Sequence, residues 1–242
     1  MILLPAMPPE QTASWYGVLD LYEQLASGWT LIGGQLVHLH CAERGGYPAR
    51  PTDDADAVID VRADPRILRT FTRTLNELGF LPDGISAQGR QHRWRRGQAS
   101  IDVLLPDGIG ERASRRRGVT GSPTLPTAGG TQALRRSETV AVTVDGREGF
   151  VCRPNLVGAL VVKAAAHNNA GDIDPRRHRR DFVVLAGLLT ASDFASEDVT
   201  TTDRRRLRVI VAAIREDREL LLELPDSASS IDRLSIAAKI AD

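Results

Sequence analysis

The sequence predicts an α/β (α+β) protein in which a mixed sheet flanked by helices is followed by a C-terminal helical part. Helical apolar periodicities alternate with short strand-like runs up to about residue 152, and beyond Pro154 only helical patterns remain. The chain has 242 residues, of which 42% are hydrophobic, and this is enough to bury a core. We therefore expect two regions, at 1–152 and 153–242.

Each predicted element of the first region follows from a local pattern. Helices are predicted where apolar residues recur at intervals of three and four, and strands where a short run is β-branched or alternates. In chain order the elements are a helix at 10–27, a strand at 30–32, a helix at 35–42, a strand at 55–61, a helix at 64–78 and strands at 92–96, 99–105, 139–144 and 148–152. Asp64-Pro65 is a typical helix start and Gly79 a typical stop. Asp145-Gly146 is the strongest hairpin signal, and residues 118–130, rich in Gly, Pro, Thr and Ser, are predicted to form a loop.

The second region contains three clear helical patterns, at 154–169, 178–190 and about 203–223, and a weaker one near its end. Lys163 lies at the border of the apolar arc of the first of these helices, where an ammonium must snorkel or find an anion. The chain has two lysines against 29 arginines, so a lysine here is informative, because a compact ammonium is a common partner of phosphate. Asp181 projects toward the packed side of the next helix, although in a first turn it could simply complement the helix dipole.

The formal net charge is zero, from 31 Lys+Arg and 31 Asp+Glu, but the charges are clustered. Residues 50–64 sum to −3 and residues 90–117 to +5. An acidic stretch near a basic one suits a site for a cation, a nucleotide and a polyanionic acceptor. The arginines of 91–96 and 112–117 are expected near that site and form an electrostatic footprint suited to RNA phosphates, although an arginine-biased solvated surface gives the same pattern.

The sequence also bears on the compartment. It contains no run of 18 apolar residues, so no membrane span is predicted. Residues Met1–Glu10 lack the basic n-region and the long apolar part of a signal peptide. Cys41 and Cys152 cannot form a metal site of their own, and in a chain that is not exported we expect them to be reduced. The sequence thus predicts a soluble cytoplasmic protein.

Three aspartates are the strongest candidates for chemistry. Asp54 and Asp56 lie two residues apart at the strand predicted near residue 55, so their carboxylates are expected side by side on one face. Asp102 lies in the strand at 99–105 and joins them if the two strands are neighbours. Hard oxygen ligands of this kind suit Mg²⁺, and a cluster of them can hold ions around a displacement at phosphorus. About two D-x-D triplets are expected by chance in a chain with this much Asp, so the triplet alone proves nothing.

The order of motifs is more specific than any one of them. A short apolar strand reaches Gly33-Gly34 at a helix start, where backbone N–H groups can receive a triphosphate while carboxylates hold the metal that bridges its oxygens. Thr52, Asp54 and Asp56 follow after a loop, and Asp102 comes later. This order resembles the nucleotidyltransferase fold of the DNA polymerase β type, whose signature is an apolar residue with Gly-Gly or Gly-Ser, a gap, Asp-x-Asp and a later third acid.

Within that fold, this sequence more closely resembles one branch, the AbiEii/MenT-like nucleotidyltransferase toxins of bacterial toxin–antitoxin systems. In that branch a hairpin, a Pro-led helix carrying Lys, and an Arg-rich helix start carrying Asp follow the catalytic strands. Here the corresponding features are Asp145-Gly146, Pro154 with Lys163, and residues 176–181. The sequence departs from the usual pattern in having Ala55 inside the Asp-x-Asp motif and a long gap before it.

The resemblance implies a role for each candidate residue. Gly33, Gly34 and Thr52 would surround the triphosphate, Asp54, Asp56 and Asp102 would bind metal, and Lys163 and Asp181 would complete the nucleotide site. It further implies Mg²⁺ as cofactor, an NTP as substrate, a tRNA 3′ end as acceptor and a cognate antitoxin as partner. Residues 1–152 would form the nucleotidyltransferase catalytic domain, and residues 153–242 would complete the nucleotide site.

Other functions remain open from the sequence. The acceptor could be a small molecule, as in aminoglycoside-type transferases, or a protein. A transferase that has lost catalysis could also serve as an RNA-binding or partner-binding module. Each alternative makes a different prediction about which molecule becomes labelled by a radioactive NTP.

Overall fold

The computed structural model describes residues 1–86, 88–169, 174–195, 197–224 and 226–240. The strands are β1 (Ile2–Leu3), β2 (Trp29–Ile32), β3 (Asp54–Ile59), β4 (Leu81–Pro82), β5 (Arg93–Arg96), β6 (Ala99–Pro106), β7 (Leu125–Thr127), β8 (Ser137–Val144) and β9 (Arg147–Pro154). The helices are α1 (Pro9–Gln24), α2 (Gly33–Arg44), α3 (Ile67–Glu77), α4 (Gly110–Ser114), α5 (Gly130–Arg135), α6 (Leu156–His167), α7 (Pro175–Gly187), α8 (Thr201–Glu216), α9 (Arg218–Glu223) and α10 (Ser227–Ala237).

Among the described residues, the larger of two sheets has six strands and is mixed. Its order is β2-β3-β6-β5-β4, and β7 pairs with the end of β6. Strands β3 and β6 are parallel, whereas β2 runs antiparallel to β3 and β5 antiparallel to β6. The smaller sheet has the order β1-β8-β9. The predicted α/β class with a mixed sheet and flanking helices is therefore confirmed.

Two large apolar clusters make up most of the core. The first joins the sheets to α1 and α3 and includes Trp15, Ile59 and Phe71. The second joins α2 to the C-terminal helices and includes Leu36 and Phe182. Helix α2 belongs to the N-terminal region by sequence, yet most of its buried apolar side chains pack against the C-terminal helices. The division at residue 152 stays a prediction, and α2 ties the two regions together.

The β8–β9 hairpin forms as predicted. Val144 pairs with Arg147, so the turn consists of two residues, Asp145 and Gly146. Both have a positive φ, of 46° and 80°. A type I′ turn requires this at its two central positions, which is why Asp-Gly is favoured there.

Several predicted boundaries were wrong, and three of them have a clear local reason. The Asp64 side chain accepts a hydrogen bond from the backbone N–H of Arg66 at 2.8 Å, which closes a turn, and α3 begins only at residue 67. The helix predicted at 203–223 is divided at Asp217, whose carboxylate caps α9 by accepting from Leu220 N–H. The predicted loop at 118–130 contains β7, a short strand whose central Pro126 reads as a loop residue.

None of the described helices is both long enough and apolar enough to cross a bilayer.

Candidate active site

A cavity of about 730 Å³ opens where β3 and β6 begin, beside the first turn of α2. It gathers most of the residues singled out in the sequence: its lining includes Gly33, Gly34, Thr52, Asp54, Asp56, Asp102 and Lys163. The remaining candidate, Asp181, lies behind Lys163 and is bonded to it. Residues as far apart in the sequence as Gly33 and Asp181 thus meet at one place.

Strand register explains how the aspartates come together. Asp56 is the direct neighbour of Asp102 across the parallel β3–β6 pair, and Asp54 is the neighbour of Ser100. On the other side of β6, Asp102 faces Arg93 of β5. Directly paired residues project from the same face of a sheet. One row on the cavity floor therefore reads Asp56, Asp102, Arg93.

Arg93 binds two of the three carboxylates. Its Nε and Nη2 atoms donate to the two oxygens of Asp102, each at 2.8 Å, and Nη2 also donates to Asp54 Oδ2 at 3.2 Å. The contact with Asp102 is the two-pronged geometry in which a guanidinium matches a carboxylate best. From the sequence, Arg93 is expected among the arginines that would bind the phosphates of an RNA acceptor. Its pairing with Asp102 follows from the β5–β6 register, which a local pattern does not reveal.

The carboxylate of Asp56 carries an unfavourable charge. Removal from bulk water and the neighbouring carboxylates of Asp54 and Asp102 raise its pKa from 3.8 to about 7. Lys163 and Arg93 oppose this shift only in part. A bound divalent cation would remove the repulsion, because it favours the ionised form of both Asp54 and Asp56.

The donor set fits Mg²⁺ as a pair of carboxylates. Mg²⁺ is usually bound by one or two protein carboxylates, with water and substrate oxygens completing its shell. Within the described part of the chain, no group of three or more His, Cys, Asp or Glu is arranged to hold a metal. Arg93 already engages both oxygens of Asp102, which leaves Asp54 and Asp56 as the pair that would hold the ion. A ligand role for Asp102 stays a prediction.

Gly33 and Gly34 have no room for side chains. A Cβ on Gly33 would lie 1.8 Å from Asp56 Oδ2, and a Cβ on Gly34 would lie 2.5 Å from Thr52 Oγ1. Gly33 also has φ +74°, a left-handed conformation that favours glycine. The absent side chains let the first turn of α2 approach the Asp56 and Thr52 side chains closely.

Replacing Gly33 with alanine is expected to disable the site through the clash with Asp56. Gly45→Ala is a matched control, because Gly45 has φ +72° and nothing within 4 Å of the added Cβ. Both variants should lose about 1 kcal/mol of unfolding free energy through backbone strain. Only Gly33→Ala should weaken Mn²⁺ binding, measured by titration, by at least about tenfold. Equal Mn²⁺ affinity in the two variants would contradict this reading of the contact.

Lys163 and Asp181 form a buried ion pair behind the cavity. Lys163 Nζ lies 2.7 Å from Asp181 Oδ2, and both side chains are nearly inaccessible. Arg50 adds two hydrogen bonds to Asp181, at 3.2 and 3.1 Å. Burial raises the pKa of Asp181, but Lys163 and Arg50 outweigh it and hold that pKa below its usual value. Lys163 therefore does not snorkel, and it presents its ammonium between Asp181 and the cavity.

The alternative interpretation of Asp181 as a helix-dipole partner was wrong. It assumed that the helix begins at residue 178, which would put Asp181 in the first turn. Helix α7 begins at Pro175, and Asp174 caps it by accepting from Arg177 N–H. Asp181 is therefore in the second turn, where it faces Lys163 and Arg50.

Several polar residues that position the site were missed in the sequence. The hydroxyl of Ser14 donates to Asp53 O at 2.6 Å and accepts from Ser100 N–H at 3.0 Å. It thereby ties the starts of β3 and β6 together just before Asp54 and Asp102. Gln35 donates to Thr52 O at 3.4 Å. No sequence signal marks these residues, because their partners are backbone atoms remote in the chain.

The arginines of 91–96 and 112–117, which were expected together around Asp102, lie in different places in the structure. Arg93 and Arg95 line the cavity, but Arg96 lies over the Phe80 ring on the other face of the sheet. The arginines of 112–117 are placed elsewhere: Arg116 donates to Val61 O, beyond the far end of β3. Val61 follows Ile59, where β3 ends, so Arg116 lies at the opposite end of this strand from the cavity. The expectation that 112–117 flank the aspartates was wrong, because a strand and its turn separate them.

Comparisons with known proteins bear on the fold. No protein-family model matches the sequence, and no curated protein matches it. The solved structure of an antigenic nucleotidyltransferase-like protein from Paracoccidioides brasiliensis is similar, with a TM-score of 0.54, 17% identity and coverage of 93% of this chain and 94% of that one. The antibiotic-resistance factor ANT(2'')-Ia gives a TM-score of 0.47 and 14% identity, over 88% of this chain and 99% of that one.

The comparison defines the fold of this chain. The chain has a nucleotidyltransferase-like fold, supported by the first of these structures over nearly the whole length of both chains. The nucleotidyltransferase-like fold expected from the motifs is therefore confirmed. The finer resemblance to AbiEii/MenT-like toxins stays a prediction.

Proposed function

We propose that this protein is a Mg²⁺-dependent nucleotidyltransferase that moves a nucleoside monophosphate from an NTP to an RNA acceptor, the 3′ end of a tRNA. The observation that carries the proposal is the register of Asp56 with Asp102 beneath the Gly33-Gly34 helix start. A pair of carboxylates beside unencumbered backbone N–H groups is the arrangement needed to hold a triphosphate and its metal.

Each residue has a role in this reaction. Asp54 and Asp56 would hold Mg²⁺, which when bound supplies charge neutralisation at the phosphates. The first turn of α2 and Thr52 orient the triphosphate, and Lys163, fixed by Asp181, offers it a positive charge. The hydroxyl oxygen of the acceptor bonds to the α-phosphorus, the bond from that phosphorus to the bridging oxygen breaks, and pyrophosphate leaves. Asp102, fixed by Arg93, accepts the proton of the attacking hydroxyl.

The choice of RNA as acceptor rests on charge and shape. The described lining of the cavity includes four arginines, Arg50, Arg93, Arg95 and Arg177. Guanidinium groups recognise phosphates through paired donors. Arg95 is exposed to solvent, so its guanidinium is accessible to an RNA strand end. The motif resemblance to AbiEii/MenT-like toxins points to the same acceptor. We accordingly propose that the protein acts as the toxin of a toxin–antitoxin system in the cytoplasm, restrained by a cognate antitoxin.

The test is to incubate the protein with Mg²⁺, total tRNA and each of the four α-labelled NTPs in turn. Label is expected in tRNA, from one preferred NTP, and EDTA should abolish it. Parallel reactions replace tRNA with aminoglycosides or with a protein extract. Label in a drug or a polypeptide would retain nucleotidyl transfer and overturn the RNA acceptor. Salt-sensitive RNA binding without NTP consumption would instead identify a module that has lost catalysis.

A further inference from the structure

Arg93 lies on the cavity floor, where it forms an ion pair with Asp102. It approaches from β5, across the sheet from Asp56, and its guanidinium spans Asp102 and Asp54 with three donated hydrogen bonds. Its side chain is about one-third exposed, whereas that of Asp102 is 8% exposed. The guanidinium thus closes one side of the carboxylate cluster while the opposite side, at Asp56, stays in the cavity.

The other cations of the cavity that have a described ion pair are engaged elsewhere. Lys163 and Arg50 both bind Asp181. Arg95 binds Asp83 at 2.7 Å, away from the cluster. Among these cations, Arg93 is therefore the one that offsets the negative charge of Asp102.

The contacts of Arg93 also decide how many divalent ions the cluster can take. An ion bridging Asp102 and Asp54 would have to bind an oxygen of Asp102, and Arg93 donates to both of these oxygens and to Oδ2 of Asp54. The oxygens outside this clamp are Asp54 Oδ1, which accepts from Thr52 at 3.2 Å, and the two of Asp56. They make up one ligand set, between Asp54 and Asp56. Two-ion sites place their ions about 3.5–4 Å apart, and on the Asp102 side of this cluster the guanidinium engages the oxygens that a second ion would use.

We infer that Arg93 is a positioning residue that takes the place of a second divalent cation, so that this site binds one ion, between Asp54 and Asp56. The inference rests on the proposed function for its meaning in catalysis. Arginine suits this task better than lysine, because its planar fork matches both oxygens of a carboxylate and it stays protonated at all relevant pH values. It keeps Asp102 oriented as a proton acceptor instead of a metal ligand.

Counting bound Mn²⁺ by electron paramagnetic resonance tests the inference without any turnover. The protein is titrated with Mn²⁺ alone, in the absence of nucleotide. The wild type is expected to bind one ion per chain. Arg93→Gln, which keeps a polar but shorter side chain and removes the charge, is expected to bind two. Arg95→Gln is the matched control on the same strand and face, and it is expected to bind one.

The number of Mn²⁺ ions bound by the wild type and by Arg93→Gln decides whether the inference holds. Two ions in the wild type, or one ion in folded Arg93→Gln, would overturn the inference. Arg93→Ala serves as a second variant with the same expectation if Arg93→Gln does not fold, and the wild-type count stands without any variant. The labelled-NTP assay is independent of this count. A wild type that binds one Mn²⁺ but transfers nothing would remove the proposed function and leave the role of Arg93 at the cluster intact.

Discussion

Replacing Asp54 and Asp56 together with asparagine is expected to lower Mg²⁺-dependent NTP turnover by at least about 100-fold. Loss of a single preorganised electrostatic group at a reacting centre typically costs 100-fold to 1,000-fold in rate, and this variant removes both carboxylates that would hold the ion. Pyrophosphate release with labelled NTP measures the effect. Turnover within tenfold of the wild type would exclude these residues as the metal site.

Asp60→Asn is the matched control for the loss of a carboxylate on the same stretch of chain. Asp60 directly follows β3 and accepts from Arg62 N–H and Ala63 N–H in a turn, and it does not line the cavity. Its replacement should leave turnover within about twofold.

Asp56→Asn alone should be at least as stable to heat as the wild type without Mg²⁺, because it removes the repulsion that raises the pKa of Asp56. A clearly less stable variant would show that the Asp56 carboxylate serves the fold.

Replacing Arg136 with methionine is expected to cost about 3–5 kcal/mol in the free energy of unfolding. Arg136 leads into β8 and binds Asp203 Oδ2 at 3.0 Å, Glu197 Oε2 at 2.8 Å and Asp198 O at 2.8 Å. Its side chain is 4% exposed and that of Asp203 is 0% exposed. Removing one partner of a buried pair leaves the other charge uncompensated, which is the costly change. Urea denaturation measures the loss.

The neighbouring residue provides the control. Arg135 pairs with Asp198 at 2.7 Å, but both side chains are more than half exposed. Exposed pairs contribute about 0–1 kcal/mol, so Arg135→Met should change the free energy of unfolding by less than about 1 kcal/mol. Similar losses in the two variants would mean that burial does not decide the strength of these pairs, and the account of Arg136 would fail.

Much of the fold could be predicted because its signals are local. The period of the apolar residues predicted α1, and the Asp145-Gly146 turn predicted the β8–β9 hairpin. Where a side chain competes with the backbone, prediction failed. Asp64 closes a turn instead of capping α3, and Asp217 divides what the apolar period alone would make one helix. Hydrogen bonds of single side chains decide such boundaries, and periodicity does not register them.

The candidate site shows the same division. The order Gly33-Gly34, Asp54, Asp56, Asp102 could be recognised because it combines residue type with strand parity, and parity fixes which side chains share a face. The partners of those residues could not be recognised. Arg93 meets Asp102 through the antiparallel register of β5 and β6, and Arg50 meets Asp181 across 131 positions of sequence. Clustered arginines that look alike in the sequence are therefore divided between the cavity and the far end of β3.

The sequence by itself determined the fold class, the hairpin and the residue types available for chemistry, since these follow from apolar period, turn residues and the spacing of carboxylates. Only the tertiary structure decided which charges face each other. Strand register brought Asp56, Asp102 and Arg93 into one row, and helix packing placed Lys163 between Asp181 and the cavity. The physical reason is that electrostatic interactions depend on distance and on exclusion of water, and both are set by long-range packing.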